Sequence, residues 1–287
     1  MADGFDSEFS ALYAHIVEGD RPVHQKLTDA IVKLGLGAGS VVVSVGDGTG
    51  EPGVRIAKAQ PDLKVFSTDA SAQMTSMAAE YGAGVENVAT VTVSGDDDDL
   101  ASKCGVAPGS VDVVVLSFSL MFVPDKAKCM ATIASLLKPG GKLLVAVLTK
   151  FGLMSCIAAA LGALLGELPP PPPTNPLSLA DPKALDTLVA GAGLTMTSDA
   201  AAAYPFPLGP NEDITRKLSA MLMKEKLDEM VAGGKADAVE RFVEAFMAAV
   251  AGNGWITDGG QVVIPPSDNV SRLVIATKTG LKTLRVE

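Results

Sequence analysis

The sequence predicts an α/β fold built around a mostly parallel sheet, and three observations predict it. Val41-Val42-Val43-Ser44-Val45 is a short β-branched run bounded by glycines, the pattern of a strand buried on both faces. Comparable apolar runs recur at 63–67, 88–93, 111–117 and 143–148. Helical patterns separate most of them, so the segment from 41 to 148 reads as successive βαβ units with right-handed crossovers. Ligands of such sheets bind beyond the carboxyl ends of the strands, which makes the loops after the first four strands the expected site.

The remaining elements follow in chain order. Residues 1–34 read as helical, with Phe5, Phe9, Leu12, Tyr13 and Ile16 at helical spacing and a second helix from about Pro22 to Leu34. After the first strand, glycines at 46, 48, 50 and 53 lead into a helix that runs to about Ala59. A helix over 71–81 follows the second strand. Asp125, preceded by Pro124, caps a helix to Leu137, and Lys138-Pro139-Gly140-Gly141 is expected to end it before the fifth strand. Phe151 to Leu168 is strongly apolar, with Glu167 its one charge. It stands at the short edge of a membrane span and is read as a buried or lid helix. Prolines 169–173 form a stiff spacer. Asp181 caps a helix to about Ala190, Leu194 to Ser198 reads as strand six, and Arg272 to Thr277 as the last strand. Residues 211–251 carry two helical patterns separated by Gly233-Gly234.

With 287 residues the chain can bury roughly three quarters of its unfolded surface, so it needs no covalent staples. Lys plus Arg is 23 against 33 Asp plus Glu, a formal charge of −10. That balance argues against a protein that binds the nucleic-acid backbone and against docking on anionic lipid. Cys104, Cys129 and Cys156 form no CxxC pair and only two histidines are present, which argues against a disulfide framework or a zinc site. The acidic start MADGFDSEF has no apolar core of a secretory signal, so a reducing cytoplasmic location is expected.

Four segments carry chemistry. Val45-Gly46-Asp47-Gly48-Thr49-Gly50-Glu51-Pro52-Gly53 joins a strand to a helix through glycines, where a ligand can lie against backbone and the helix amides can meet a carboxylate or phosphate. Gly48-x-Gly50-x-x-Gly53 also satisfies the dinucleotide fingerprint. Asp69, at the end of the second strand, can accept both hydroxyls of a ribose or cap the helix beginning near Ser71. Gly95-Asp96-Asp97-Asp98-Asp99-Leu100 follows the third strand. Its carboxylates repel one another, so most are expected in solvent, and a divalent cation is the less favoured reading. Leu116-Ser117-Phe118-Ser119-Leu120-Met121-Phe122-Val123-Pro124-Asp125 leaves strand four, with Leu120, Met121 and Phe122 expected in the core.

Together GDGTGEP, the acid at strand two, GDDDDL, SFSLMFVPD and LLKPGGKLLVAV resemble, in order and spacing, a class I S-adenosylmethionine-dependent methyltransferase. The similarity is nearest to the branch of ubiquinone/menaquinone biosynthesis methyltransferases and covers about 35–150. It implies a Rossmann-like seven-stranded sheet and S-adenosyl-L-methionine as cofactor. It also implies roles: Gly46, Asp47, Gly48 and Gly50 along the methionine part, mostly by backbone; Asp69 on the ribose; Ala70 and Met74 beside the adenine. Asp96 would accept from the adenine amine, the Asp97 amide would donate to a ring nitrogen, and the Ser117 carbonyl would take the amino group. Ser44 departs from the resemblance, because an Asp or Glu usually stands there and helps to organise the methionine end.

The function expected is methyl transfer to a small metabolite, with 1–34 as a helical cover, 35–150 as the cofactor-binding core, and 151–287 supplying lid helices (151–168, 211–251) and the last two strands. No metal, nucleic-acid or membrane partner is expected. His24, Tyr13, Tyr204 and His15 are the candidate proton acceptors. His24 is expected on a solvated helix surface, Tyr13 on an apolar stripe, and Tyr204 facing the cleft just before Pro205. The rival readings are a scaffold that binds the cofactor without catalysis, and an NAD-dependent oxidoreductase.

Overall fold

The structure is a computed structural model and describes residues 7–168 and 170–279. Phe5, the side chain of Phe9 and Pro169 lie outside the described residues.

In chain order the elements are α1 (Ser7–Lys33), β1 (Val41–Val45), α2 (Gly53–Ala59), β2 (Lys64–Asp69), α3 (Ala72–Tyr81), β3 (Val88–Thr92), α4 (Leu100–Lys103), β4 (Val111–Ser117), α5 (Lys126–Leu136), β5 (Leu137–Phe151), α6 (Gly152–Leu165), α7 (Pro182–Gly191), β6 (Leu194–Ala203), β7 (Phe206–Gly209), α8 (Glu212–Leu222), α9 (Lys224–Ala232), α10 (Ala238–Gly252), β8 (Val262–Ile264) and β9 (Asn269–Lys278). Seven strands form one sheet in the order β3-β2-β1-β4-β5-β9-β6, and β7 and β8 form a separate antiparallel pair. β1 pairs in parallel with β2 and β4, β2 with β3, and β4 with β5. The order reverses at β1, which lies between β2 and β4, so the carboxyl ends of β1 and β4 flank the switch point where an open sheet parts to admit a ligand. The seven-stranded α/β architecture is the one expected.

The chain divides into two compact units. The larger contains 22–149, 173–202 and the segment from Ser271 on, and so most of the sheet. All seven residues of β4 are buried, which explains its largely apolar sequence. Asp112 is a polar exception there. Its carboxylate accepts from the Val41 amide at 2.8 Å and pairs with the Lys138 ammonium, tying β1, β4 and β5 together. The smaller unit contains the residues up to Arg21, 150–172 and 203–270. There α10 packs on α6 and α8, with Phe242, Phe246 and Phe206 fully buried. Gly19 is required in this unit, since a Cβ would stand 2.4 Å from the Phe206 ring.

Several boundaries differ from expectation. α1 is one helix with Pro22 inside it. The helical pattern at 211–232 divides at Met223 into α8 and α9. The Lys138–Gly141 turn lies within β5, as an irregularity between the pairs Val111–Leu137 and Val113–Lys142. Gly141 is needed there, because a Cβ would meet the Lys138 carbonyl oxygen at 2.9 Å. The β7–β8 pair went unread because each strand is only a few residues long. α6 is 14 residues, and no described helix is long and apolar enough to cross a membrane.

Candidate functional site

The glycine loop after β1 is held by its own backbone. Gly46 and Asp47 both donate to the Thr68 carbonyl, at 2.8 and 2.9 Å, which ties the loop to β2. The amides of Gly50 and Glu51 donate to the Asp47 carbonyl, and Val54 donates to the Gly50 carbonyl. Gly46, Gly48 and Gly50 have φ of 71°, 55° and 102°, the left-handed region that favours glycine. Gly46 has no room for a side chain in any case: a Cβ would stand 2.4 Å from that of Ser119.

Asp47 is buried beneath this loop. Its carboxyl group accepts from the Ser44 hydroxyl and, at 3.0 Å, from the Gly53 amide that opens α2. Loss of solvent pushes it up to about 7, and the hydrogen bond from Ser44 opposes that rise. Asp47 thus sets a carboxyl group against Ser44, the position where the resemblance places an acid. This corrects one expectation about the loop. The first amide of α2 is spent on Asp47 and the next on Gly50, so the helix start does not offer them to a phosphate.

Asp69 completes the adjoining wall. One carboxylate oxygen accepts from the Gly48 amide at 2.9 Å and the other from the Ser71 amide at 2.9 Å. Ser71, not Asp69, caps α3, its hydroxyl accepting from the Met74 amide. Ala70 is exposed and Met74 half-buried. The loop after β3 closes on the same edge. A Cβ on Gly95 would lie 2.8 Å from Val45 and 2.9 Å from the Cys129 sulfur, so Asp96 starts from a point against the end of β1. Asp96 accepts from Ser94 at 2.5 Å. The Asp97 amide, expected to be free, donates to the Ser94 carbonyl at 3.2 Å. Asp97 and Asp98 pair with Lys103 and Lys128, each at 3.1 Å. Among the described residues no cluster could hold a metal ion.

The loop after β4 supplies the fourth side. Ser117 is buried and its hydroxyl has no hydrogen-bond partner among the described residues. Phe118 has φ 54° and donates its amide to the Ala146 carbonyl at 3.0 Å. Ser119, which sequence reasoning did not single out, donates to the Val45 carbonyl at 2.6 Å and locks the ends of β1 and β4 together. Nothing local marks it, since its partner lies 74 residues away. Leu120 and Met121 are core as expected, whereas Phe122 is half exposed.

The four proton-acceptor candidates are divided between the two units, His24 in the larger and Tyr13, His15 and Tyr204 in the smaller. His24 is buried rather than solvated: it is 6% exposed, its ring centroid is 6.0 Å from that of Phe118, and burial pulls it down to about 4. Tyr204 is buried in the smaller unit, where its hydroxyl donates to Asp20 at 3.1 Å. Desolvation pushes Asp20 up to about 7. Tyr13 and His15 are partly exposed on α1.

Residues 43–143 match the family model described as a methyltransferase domain. No curated protein matches the chain by sequence. Among solved structures, the YcgJ protein from Bacillus subtilis shares 15% identity at a TM-score of 0.56, over 90% of this chain and 99% of its own. The [4+2]-cyclase SpnF shares 18% identity at 0.53, over 88% and 80%. A geranyl diphosphate methyltransferase, in complex with its diphosphate and sinefungin, shares 16% at 0.52, over 97% and 85%. These likenesses establish the fold.

Proposed function

We propose that this chain transfers the methyl group of S-adenosylmethionine to a small-molecule acceptor. One observation carries the reading: the amides of the glycine loop, that of Thr49 apart, are already spent. Gly46, Asp47, Gly48, Gly50, Glu51, Gly53 and Val54 all donate within the chain. A dinucleotide pyrophosphate needs N–H donors at this place. Carbonyl oxygens with spare lone pairs are what the loop keeps, and these suit an ammonium group. The same bonding therefore weighs against the NAD-dependent reading, and the methyltransferase domain supports the choice.

S-adenosylmethionine supplies a methyl group on a positively charged sulfur, an electrophile that needs no further activation. Asp69 is the ribose-holding residue, because each of its oxygens holds one amide and keeps a lone pair for a hydroxyl. Ala70, Met74 and Asp96 line the adenine position, while Gly46, Gly48, Gly50 and the Ser117 carbonyl line the methionine end. Asp47 acts from beneath as a positioning residue. The amide of Asp97 is committed to Ser94 and takes no part in this reading.

Calorimetry with S-adenosylhomocysteine and with NAD tests the proposal. Binding of the first and not the second is expected; the reverse result overturns it. At a hundredfold excess over Kd the nucleoside should stabilise the fold by about 2.7 kcal/mol. Asp69→Ala should weaken binding by about 1–3 kcal/mol, and unchanged affinity refutes its assignment.

A cofactor-binding chain without methyl transfer is the second reading. It is favoured by the state of the base candidates: His24 is pulled down to about 4 and the Tyr204 hydroxyl donates to Asp20. A tritiated-methyl assay across alcohols, phenols, amines and thiols separates the two, since label found on any acceptor ends the scaffold reading.

A further inference from the structure

His24 lies on α1 with a ring nitrogen, Nδ1, that is buried and has no hydrogen-bond partner among the described residues. An orphaned buried ring nitrogen costs free energy unless something else meets it. Its surroundings are on one edge of the larger unit. The Phe118 ring, directly after Ser117 at the end of β4, lies at a centroid distance of 6.0 Å with the planes tilted by 60°. Glu51 of the glycine loop and Arg55 of α2 are the charged groups that act on it. They are paired with each other through two contacts of 2.7 Å, and Tyr81 donates to Glu51 at 2.8 Å, so no single uncompensated charge faces the imidazole. His24 thus sits beside the glycine loop and the exit of β4, the two segments assigned above to the methionine end.

We propose that His24 is a cofactor-holding residue whose Nδ1 accepts a hydrogen bond from the amino group at the methionine end of S-adenosylmethionine. The inference rests on the cofactor reading given above. The chemistry is matched in charge. Sulfonium and ammonium are both cations, and an imidazolium beside them would repel both. Burial keeps the imidazole neutral, and a neutral imidazole with its proton on Nε2 leaves Nδ1 as an acceptor. The ammonium in turn satisfies a nitrogen that the fold leaves bare.

Calorimetry on the whole chain tests this with S-adenosylhomocysteine and its deaminated analogue, in which a CH2 replaces the CH bearing the amino group. In the unaltered protein, loss of the amino group should weaken binding about tenfold or more, as for other hydrogen bonds to charged groups. His24→Leu should weaken S-adenosylhomocysteine and erase most of that preference, while His24→Asn, whose amide oxygen can accept near the same place, should restore part of it. A His24→Leu protein that keeps the full preference overturns the proposal. Failure of the unaltered protein to bind S-adenosylhomocysteine sinks the cofactor reading itself, a different result. If His24→Leu does not fold, nitrogen-15 NMR of the unaltered protein decides. With only two histidines to assign, the Nδ1 resonance of His24 should move when S-adenosylhomocysteine binds, and an unmoved resonance at saturation overturns the proposal.

Discussion

At Asp47 a carboxyl group is sealed under the glycine loop and bonded to Ser44 and Gly53. Its folded pKa of about 7 stands above the ordinary 3.8, so the folded state holds the proton more tightly than the unfolded chain does. Its stabilising contribution is full below about pH 4 and is lost as pH rises towards 7. Asp20, raised to about 7, adds a slope of the same sign. Asp47→Asn can keep both bonds, the amide oxygen facing Gly53 and the amide nitrogen facing Ser44. It should raise stability at pH 8 by about 1 kcal/mol or more, the worth of one pKa unit, and leave it unchanged at pH 4. Urea titrations at the two pH values check this, and a pH-independent effect would refute the assignment. Asp47 was legible in the sequence as a loop residue but not as a buried acid, because its burial depends on the Ser44 and Gly53 contacts made when the loop closes.

At the scale of elements, two contacts between distant segments hold the site. Gly46 lies under Ser119, and Ser119 bonds the Val45 carbonyl. Gly46→Ala introduces both a clash and a φ of 71°, so it should cost about 1–3 kcal/mol or more and abolish nucleoside binding. Adding Ser119→Gly removes the clashing Cβ and should recover part of the stability but not all, since the φ penalty stays; no recovery would mean that Ser119 is not the obstacle. The second contact joins β9, β6 and α7. Arg272 is buried and donates to Asp199 at 2.9 and 2.8 Å, to Asp186 at 2.7 Å and to the Pro182 carbonyl at 2.9 Å. Both carboxylates are about half exposed, so screening lowers the worth of the cluster. Arg272→Ala should destabilise the protein by about 1–3 kcal/mol and leave S-adenosylhomocysteine affinity unchanged, which denaturation and calorimetry together measure. Sequence reading placed Arg272 at the head of the last strand and saw nothing of this cluster, whose acids lie 73 and 86 residues away.

For the molecule as a whole, alternation of strands and helices was enough to predict a parallel sheet over 41–148, the resemblance extended it to seven strands, and the strand order came from the structure. The fourth and first strands could be read to the residue, since a run buried on both faces is dominated by β-branched and other apolar residues, with Ser44, Asp112 and Ser117 the polar exceptions. Where the pattern is interrupted by turn residues the reading slipped: Pro139-Gly140-Gly141 signals a turn, and the turn is absorbed as an irregularity within β5, whose pairing with β4 resumes at Val113–Lys142. The short β7–β8 pair was likewise invisible, as three or four residues carry too little periodicity.

What the sequence determined alone is therefore the order of elements and the glycine-rich turn between β1 and α2, because strand burial, helix caps and left-handed backbone are local demands written in local residue types. Which loop amides are spent, which acid is sealed from water and which histidine nitrogen is left without a partner were decided only by the tertiary structure. Those outcomes depend on atoms brought together from positions tens of residues apart, and a hydrogen bond or a desolvated charge has no meaning until both partners are in place.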